Sequence, residues 1–354
     1  MLCYGYYKII KKNIFFLLSF FSVIFSLYAQ DAPGWMQNLE REFPARDWVA
    51  VTAQGSSQPQ AEAAVMNALA RAFKTDVSSI TQASQQFSQI VSDSAGSKNV
   101  NFTESKNFSQ EITTSASMQG LIGVQIDVYR APDRTVYVQA RMNRRECSAR
   151  YSGLIKENTA AIDHLLSQAA ALRDQASLDV YARLSFAHKI ALVTDNFQNI
   201  LEVLDPSTAG RRPHYGGANA IKTKMNDAAS KITISITVDA EQAADKTLFT
   251  RAAGTLFRDM GFKLSEQGKG SYALKANVRF ESITQAVVSC RYFLDAVLEG
   301  ENGRAIFSFT EDNRKAHPNN ASEARRLAAR GVETSFKEGQ FAREFDAWLN
   351  ELVH

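Results

Sequence analysis

Four short stretches decide the fold of the C-terminal half: ITISITV (232–238), YALKANVRF (272–280), VSCRYFLDAVL (288–298) and AIFSF (305–309). In the first, Ile232, Ile234, Ile236 and Val238 alternate with Thr233, Ser235 and Thr237. A period of two puts every apolar side chain on one face of an extended chain. The same alternation returns in Tyr272, Leu274, Ala276, Val278 and Phe280, again in Val288, Cys290, Tyr292, Leu294, Ala296 and Leu298, and again in Ala305, Phe307 and Phe309. Glu301, Asn302 and Gly303 supply a turn, so the last three stretches read as consecutive strands of a meander with one polar face. Between the first strand and the meander, Ala243, Leu248, Phe249, Ala252, Leu256, Phe257 and Met260 recur at helical spacing up to Gly261, a residue suited to a left-handed helix end. Two further helices close the chain, Ser322 to Lys337 and Gln340 to Leu352.

The N-terminal half carries a similar order. Asp47 to Ala53 reads as a strand, and Gly55, Ser56, Ser57 and Pro59 as a turn and helix start. An Ala-rich helical stripe follows, from Ala61, Ala64, Val65, Ala68 and Leu69 on to Phe87 and Val91. Ser92 to Gln119 is polar and fits a long exposed strand. Val124, Ile126 and Val128, a turn at Ala131, Pro132 and Asp133, and then Val136, Val138, Ala140 and Met142 read as a hairpin. Ala149 to Leu204 changes to helical period, with a break near Gln175 to Ser177 and a stop at Pro206. Residues 209–218, rich in Gly and Arg, have the composition of a linker. The expected class is α+β: two strand–helix–three-strand meander domains joined by a helical pair. The boundaries are a signal peptide at 1–29, a first domain at 30–148, the helical pair at 149–208, the linker at 209–218 and a second domain at 219–354. The repeated order suggests duplication of one module, although no residue-level repeat is visible.

The chain has 354 residues, 40 Lys plus Arg against 37 Asp plus Glu, and a formal charge of +3. Three of those cations, Lys8, Lys11 and Lys12, precede the apolar run Ile14 to Phe25, and small Ala29 lies before Gln30. This is the pattern of an export signal with cleavage after Ala29. Leu27 is larger than the residue usual at its position, which keeps an uncleaved anchor as the alternative, yet Ile14 to Ala29 is shorter than the ~20 residues of a comfortable span. Removing the three lysines leaves 37 basic against 37 acidic residues. A neutral mature chain has no global basic field, so nucleic acid is not an expected partner. No integral membrane span is expected after cleavage. Cys147 and Cys290 remain, and the expectation is two free buried thiols rather than a bridge.

The first half resembles the Lpp-twenty lipoprotein family and the related N-terminal part of the flagellar H-ring assembly protein. The resemblance covers residues 33–145. Pro33, Gly34 and Trp35, the strand Asp47 to Ala53 running into Gly55, Ala61, Ala64, Ala68 and Ala72, and Gly120, Leu121 and Gly123 carry it, with Tyr137, Val138, Gln139, Ala140 and Arg141. It implies a small α+β domain on the periplasmic face of a bacterial outer membrane, with no catalytic residue to carry over. The lipobox cysteine is missing, so a lipid anchor is not implied. In strand order alone, the second half is similar to outer-membrane activators of penicillin-binding proteins. The expectation is an exported, non-enzymatic cell-envelope protein that acts as an interaction or assembly module in the periplasm. Its partners would be envelope proteins, flagellar or cell-wall-synthesis components. The alternatives are a regulator of peptidoglycan synthesis and a hydrolase with a non-motif site.

No reaction is legible in the motifs, and neither a catalytic residue, a metal site nor a cofactor is expected. The five histidines, His164, His188, His214, His317 and His354, have no H-E-x-x-H or C-x-x-C context. A hydrolase would need His317, or His188 with Asp195, to meet a nucleophile in one pocket. Gly268, Lys269, Gly270 and Ser271 lack the spacing of a phosphate loop and read as a turn. The partner-contact candidates are Tyr129 and Tyr137, on the outward face of the hairpin beside Gln125 and Gln139, and the basic cluster Arg141, Arg144 and Arg145. Arg211 and Arg212 make a second basic pair in the linker.

Overall fold

The structure is a computed structural model and describes residues 32–73, 85, 121–265, 270–284, 288–317 and 320–353. The export signal, the polar tract Ser92 to Gln119, the helical stripe beyond Phe73, and His354 lie outside the described residues. The chain is α+β, and its described residues divide into two compact units, one holding residues 32–73 together with Gly123–Cys147, the other holding residues 85 and 121–122 and the described residues from Ser148 onward.

In the first unit, two single-turn helices, α1 (Gly34–Gln37) and α2 (Leu39–Glu42), precede strand β1 (Trp48–Gly55) and helix α3 (Gln58–Ala72). Strands β2 (Gln125–Arg130) and β3 (Val136–Asn143) complete an antiparallel sheet of order β1-β3-β2. Gly55 ends β1 where a Cβ would lie 2.7 Å from the Ala61 nitrogen, so only glycine lets the strand turn this tightly into α3. Ala61, Val65, Leu69 and Phe73 of the helical stripe are buried, as are Val49, Val138, Ala140 and Met142. The alternation in β3 thus separates a buried apolar set from Tyr137, Gln139 and Arg141.

The second unit contains most of helix α4 (Arg144–Ala171), then α5 (Leu178–Leu204) and α6 (Ala218–Ala229). Next come β4 (Thr233–Ala240), α7 (Ala243–Asp259), β5 (Lys263–Ser265), β6 (Tyr272–Thr284), β7 (Val288–Glu299) and β8 (Ala305–His317), followed by α8 (Ala321–Lys337) and α9 (Gln340–Glu351). The five strands form one sheet of order β5-β4-β6-β7-β8. The expected meander is β6-β7-β8, antiparallel throughout, while β4 runs parallel to both β5 and β6. The short strand β5 was not legible, because three residues are too few to show a period.

Three expectations change. The helical pair is not a connector: Leu165, Leu178, Phe186 and Ile190 belong to the same buried cluster as Phe257, Leu294 and Phe345. Residues 209–218 are not a boundary either, since Tyr215 and Ala218 join that cluster and the chain divides at Cys147/Ser148. Local Gly and Arg content marks an irregular loop, whereas a boundary requires that few contacts cross it. Finally, the two sheets differ in topology. In the first, β1 pairs antiparallel with β3, the second strand of its hairpin; in the second, β4 pairs parallel with β6, the first strand of its meander. His317, which a non-motif hydrolase would need, is the last residue of β8.

Cys147 and Cys290 are both buried, and no disulfide joins them. At the entry to β6, the Cβ position of Gly270 is filled by backbone, with the Ser235 nitrogen at 2.7 Å and the Thr233 oxygen at 2.8 Å. The glycine is there for close strand approach. Ser271 donates its N–H to Thr233 Oγ1 at 2.9 Å.

Candidate interaction face

The sheet of the first unit turns one face away from its apolar set, and register fixes what that face shows. Tyr129 of β2 stands opposite Tyr137 of β3, Asp127 opposite Gln139, and Gln125 opposite Arg141. On the other side of β3, Gln54, Thr52 and Ala50 of β1 occupy the matching positions. The two tyrosine rings lie 6.5 Å apart at 39°, within the range in which cross-strand aromatic pairs interact. Both rings are half-buried.

Arg141 organises the rest of the face. Its guanidinium pairs with Asp127, donates to Gln139 Oε1 at 2.8 Å and, through Nε, to Gln125 Oε1 at 3.0 Å. The same group lies 4.7 Å from the centre of the Phe43 ring and 6.0 Å from that of Trp48, which themselves meet edge to face at 5.6 Å. A guanidinium has a donor edge and a flat face, and here each has its own partners. Gln139 is fully buried, and its Nε2 has no hydrogen-bond partner. Such an unmet donor costs free energy within the fold.

The expected basic cluster is divided. Arg141 belongs to β3, but Arg144 and Arg145 are in the first turn of α4. Arg144 donates through Nε to the Ala45 carbonyl at 2.8 Å, and Arg145 is exposed. Asp127 was legible from its two-residue spacing to Gln125 and Tyr129. Phe43 was not, because it lies in the irregular segment before β1, where no periodicity marks a face.

In the second unit, His188 and Asp195 come together on the backbone of one residue, Ala218. His188 Nδ1 is 3.0 Å from the Ala218 carbonyl, and the Ala218 N–H donates to Asp195 Oδ2 at 2.9 Å. Two turns apart on α5, the two side chains clamp the start of α6. Beside them a cleft of about 390 Å³ is lined by Asp195, Glu202, Arg211 and Arg212, so the second basic pair faces acids. His214 Nε2 lies 2.7 Å from Asp163 Oδ1, and His164 Nε2 lies 3.0 Å from Gln168. Among the described residues, no three His, Cys, Asp or Glu side chains gather as metal ligands.

Burial lowers the His188 pKa from the ordinary 6.5; the Ala218 carbonyl opposes that shift, Lys222 adds to it, and Asp195 opposes it. Burial also raises the Asp195 pKa from 3.8, against the Ala218 N–H, His188 and Arg212. Between the depressed folded value and 6.5, the unfolded chain binds the extra proton at His188, so its contribution to stability is lost as pH falls through that window. Asp195 has the opposite sign, because the folded chain holds its proton to higher pH, and it acts in the window above 3.8. The melting temperature is therefore expected to fall as the buffer is taken downward through 6.5, and to fall less steeply in His188→Gln. Parallel pH profiles for the two proteins would remove His188 as the cause.

No known family profile matches the chain, and none of the curated proteins does. Among solved structures, the chain is similar to a minor lipoprotein from Acinetobacter baumannii at 14% identity, over 32% of this chain and 90% of that one, with a TM-score of 0.25. It is similar to a lipoprotein from Neisseria meningitidis at 11% identity, over 29% and 96%, with a TM-score of 0.22. A secreted protein from Helicobacter pylori is similar at 12% identity over 82% of this chain and 97% of that one, with a TM-score of 0.31. Likeness of this degree assigns no function. No helix among the described residues is long and apolar enough to cross a membrane.

Proposed function

We propose that this chain is an exported, non-enzymatic protein of the bacterial cell envelope, working in the periplasm as an interaction or assembly module related to the Lpp-twenty lipoproteins. The observation that carries the reading is the outward face of the first sheet, where the Tyr129–Tyr137 pair adjoins the Arg141 cluster. Aromatic side chains and arginine are the residue types that concentrate at protein contacts. The basic and apolar N-terminus supports export. The engagement of His188 with the Ala218 carbonyl and of His214 with Asp163 supports a structural use of those histidines over a catalytic one. The partners are envelope proteins, and flagellar or wall-synthesis components are the first to test.

The test is complementation of a deletion strain. The double substitution Tyr129→Ser and Tyr137→Ser removes a ring pair worth roughly 0.5–1.5 kcal/mol beyond its buried area, so the protein is expected to stay folded. It should reach the periplasm with an N-terminus near Gln30, yet fail to complement. Joint replacement of His164, His188, His214 and His317 by Gln should complement. If the tyrosine variant complements and the folded histidine variant does not, the interaction reading gives way to a catalytic one.

A further inference from the structure

A second unit built around a packed aromatic core has no need of a basic cleft, yet one is present. Strand β8 and helices α8 and α9 enclose a cleft of about 560 Å³ whose lining includes Lys315, Arg330 and Arg343. The three cations come from three different elements. Among the described residues none of them forms an ion pair, whereas Arg326 and Lys337 on the same α8 pair with Glu323 and Glu333. Like charges on one lining repel, and the acid that shares this lining, Glu311, is engaged by two hydroxyls.

The floor of the cleft is fixed. Glu311, Tyr292 and Ser335 are all buried. Tyr292 donates its hydroxyl to Glu311 Oε1 at 2.6 Å, Ser335 donates to Glu311 Oε2, and Ser335 Oγ accepts the Phe341 N–H at 3.2 Å. Each hydroxyl proton is thus committed to Glu311, and the carboxylate is turned toward the hydroxyls. Gly331 lets α8 lie close against the sheet beside the cleft, since a Cβ there would come within 2.8 Å of the Tyr292 ring and 3.1 Å of Lys315 Cε. What remains for a ligand is the three cations, with Thr334 as a neutral hydrogen-bonding group on the lining, while Gln340 already donates through Nε2 to Glu344 Oε1 at 2.9 Å.

From this we infer that the cleft binds a small phosphate-bearing, hydroxyl-rich molecule such as a sugar phosphate. Two guanidinium forks and an ammonium match a doubly charged oxyanion better than a single carboxylate. The volume falls within the roughly 300–1,000 Å³ of small-molecule sites and leaves room for a polar body beyond the phosphate. This site is independent of the tyrosine face on the first unit.

The test is titration calorimetry of the full chain, at fixed ionic strength, with glucose 6-phosphate, inorganic phosphate and glucose. Saturable binding is expected for the sugar phosphate, weaker binding for inorganic phosphate and none for glucose. Arg330 and Arg343 are exposed, so Arg330→Gln and Arg343→Gln should fold, and each should weaken binding roughly tenfold or more. Arg326→Gln, on the same helix but outside the cleft lining, should leave binding unchanged. No saturable heat with either phosphate compound, or equal binding in the Arg330 and Arg343 variants, would overturn the inference. Sedimentation with phosphatidylglycerol and phosphatidylcholine vesicles separates the other phosphate source. Binding to the anionic vesicles that depends on both arginines and is not displaced by the sugar phosphate would assign the cleft to a lipid headgroup and defeat the small-molecule proposal.

Discussion

Phe345→Ala is expected to produce the largest loss of stability of any single truncation considered for this chain. The ring is fully buried and lies 5.5 Å from Phe257, 5.4 Å from Phe307 and 5.5 Å from Trp348. Those neighbours come from α7, β8 and α9, so the cavity would open where three elements meet and none can collapse without moving another. Truncation of a buried Phe costs roughly 3–5 kcal/mol, against a total of about 5–15 for a folded domain. For a unit of this size the melting temperature should drop by on the order of 10 °C. The comparison is Phe293→Ala on the solvent face of the same sheet, where the ring is flanked by Arg279 and Arg291 at 5.6 and 4.8 Å. Exposed cation–π contacts contribute only about 0.5–1 kcal/mol each, so that variant should lose less. Equal losses in the two melts would mean that the aromatic cluster is not the centre of the core.

Leu165→Ala is the second large effect, at roughly 2–5 kcal/mol for a fully packed leucine. Its value lies in where the damage should be felt. Leu165 is fully buried in a cluster that runs from α4 and α5 through the sheet to α9. Helix α5 is tied to the rest of the unit by Tyr181 against Phe262 at 4.7 Å, by the Leu178 N–H donating to Tyr272 Oη at 3.1 Å, and by Lys189 Nζ to Asp346 at 2.9 Å. Amide exchange should therefore accelerate in β6 and β7 as well as in α4. Unchanged protection of Leu294 and Ala296 alongside a labile α4 would show that the helical pair is a separate cooperative unit.

The relation of sequence to structure differs from element to element. Meander strands β6 and β7 were legible because each alternates over a long stretch, and β8 from the shorter alternation of Ala305, Phe307 and Phe309 after the turn, since in an antiparallel sheet with one open face the apolar set must point inward. The tyrosine pair was legible for the same reason, since Tyr129 and Tyr137 flank a short turn and register makes them opposite. Helix α5 was legible from its helical period and its bounding Ser177 and Pro206, and α8 and α9 lie within one residue of their expected bounds.

Tertiary structure alone decided the rest. An apolar helical stripe says that a helix is covered, not by what, so α4 and α5 could be read as a connector when their stripes complete the core of the second unit. The clamp of His188 and Asp195 on Ala218 joins residues that are 23 and 30 positions away in the chain, beyond the reach of any local pattern. Lys315, Arg330 and Arg343 each read as an ordinary surface cation in its own segment. Only the packing of α8 and α9 against β8 gathers them around one cleft, because convergence of charge depends on the path of the backbone through space, and the sequence of any one element does not contain that path.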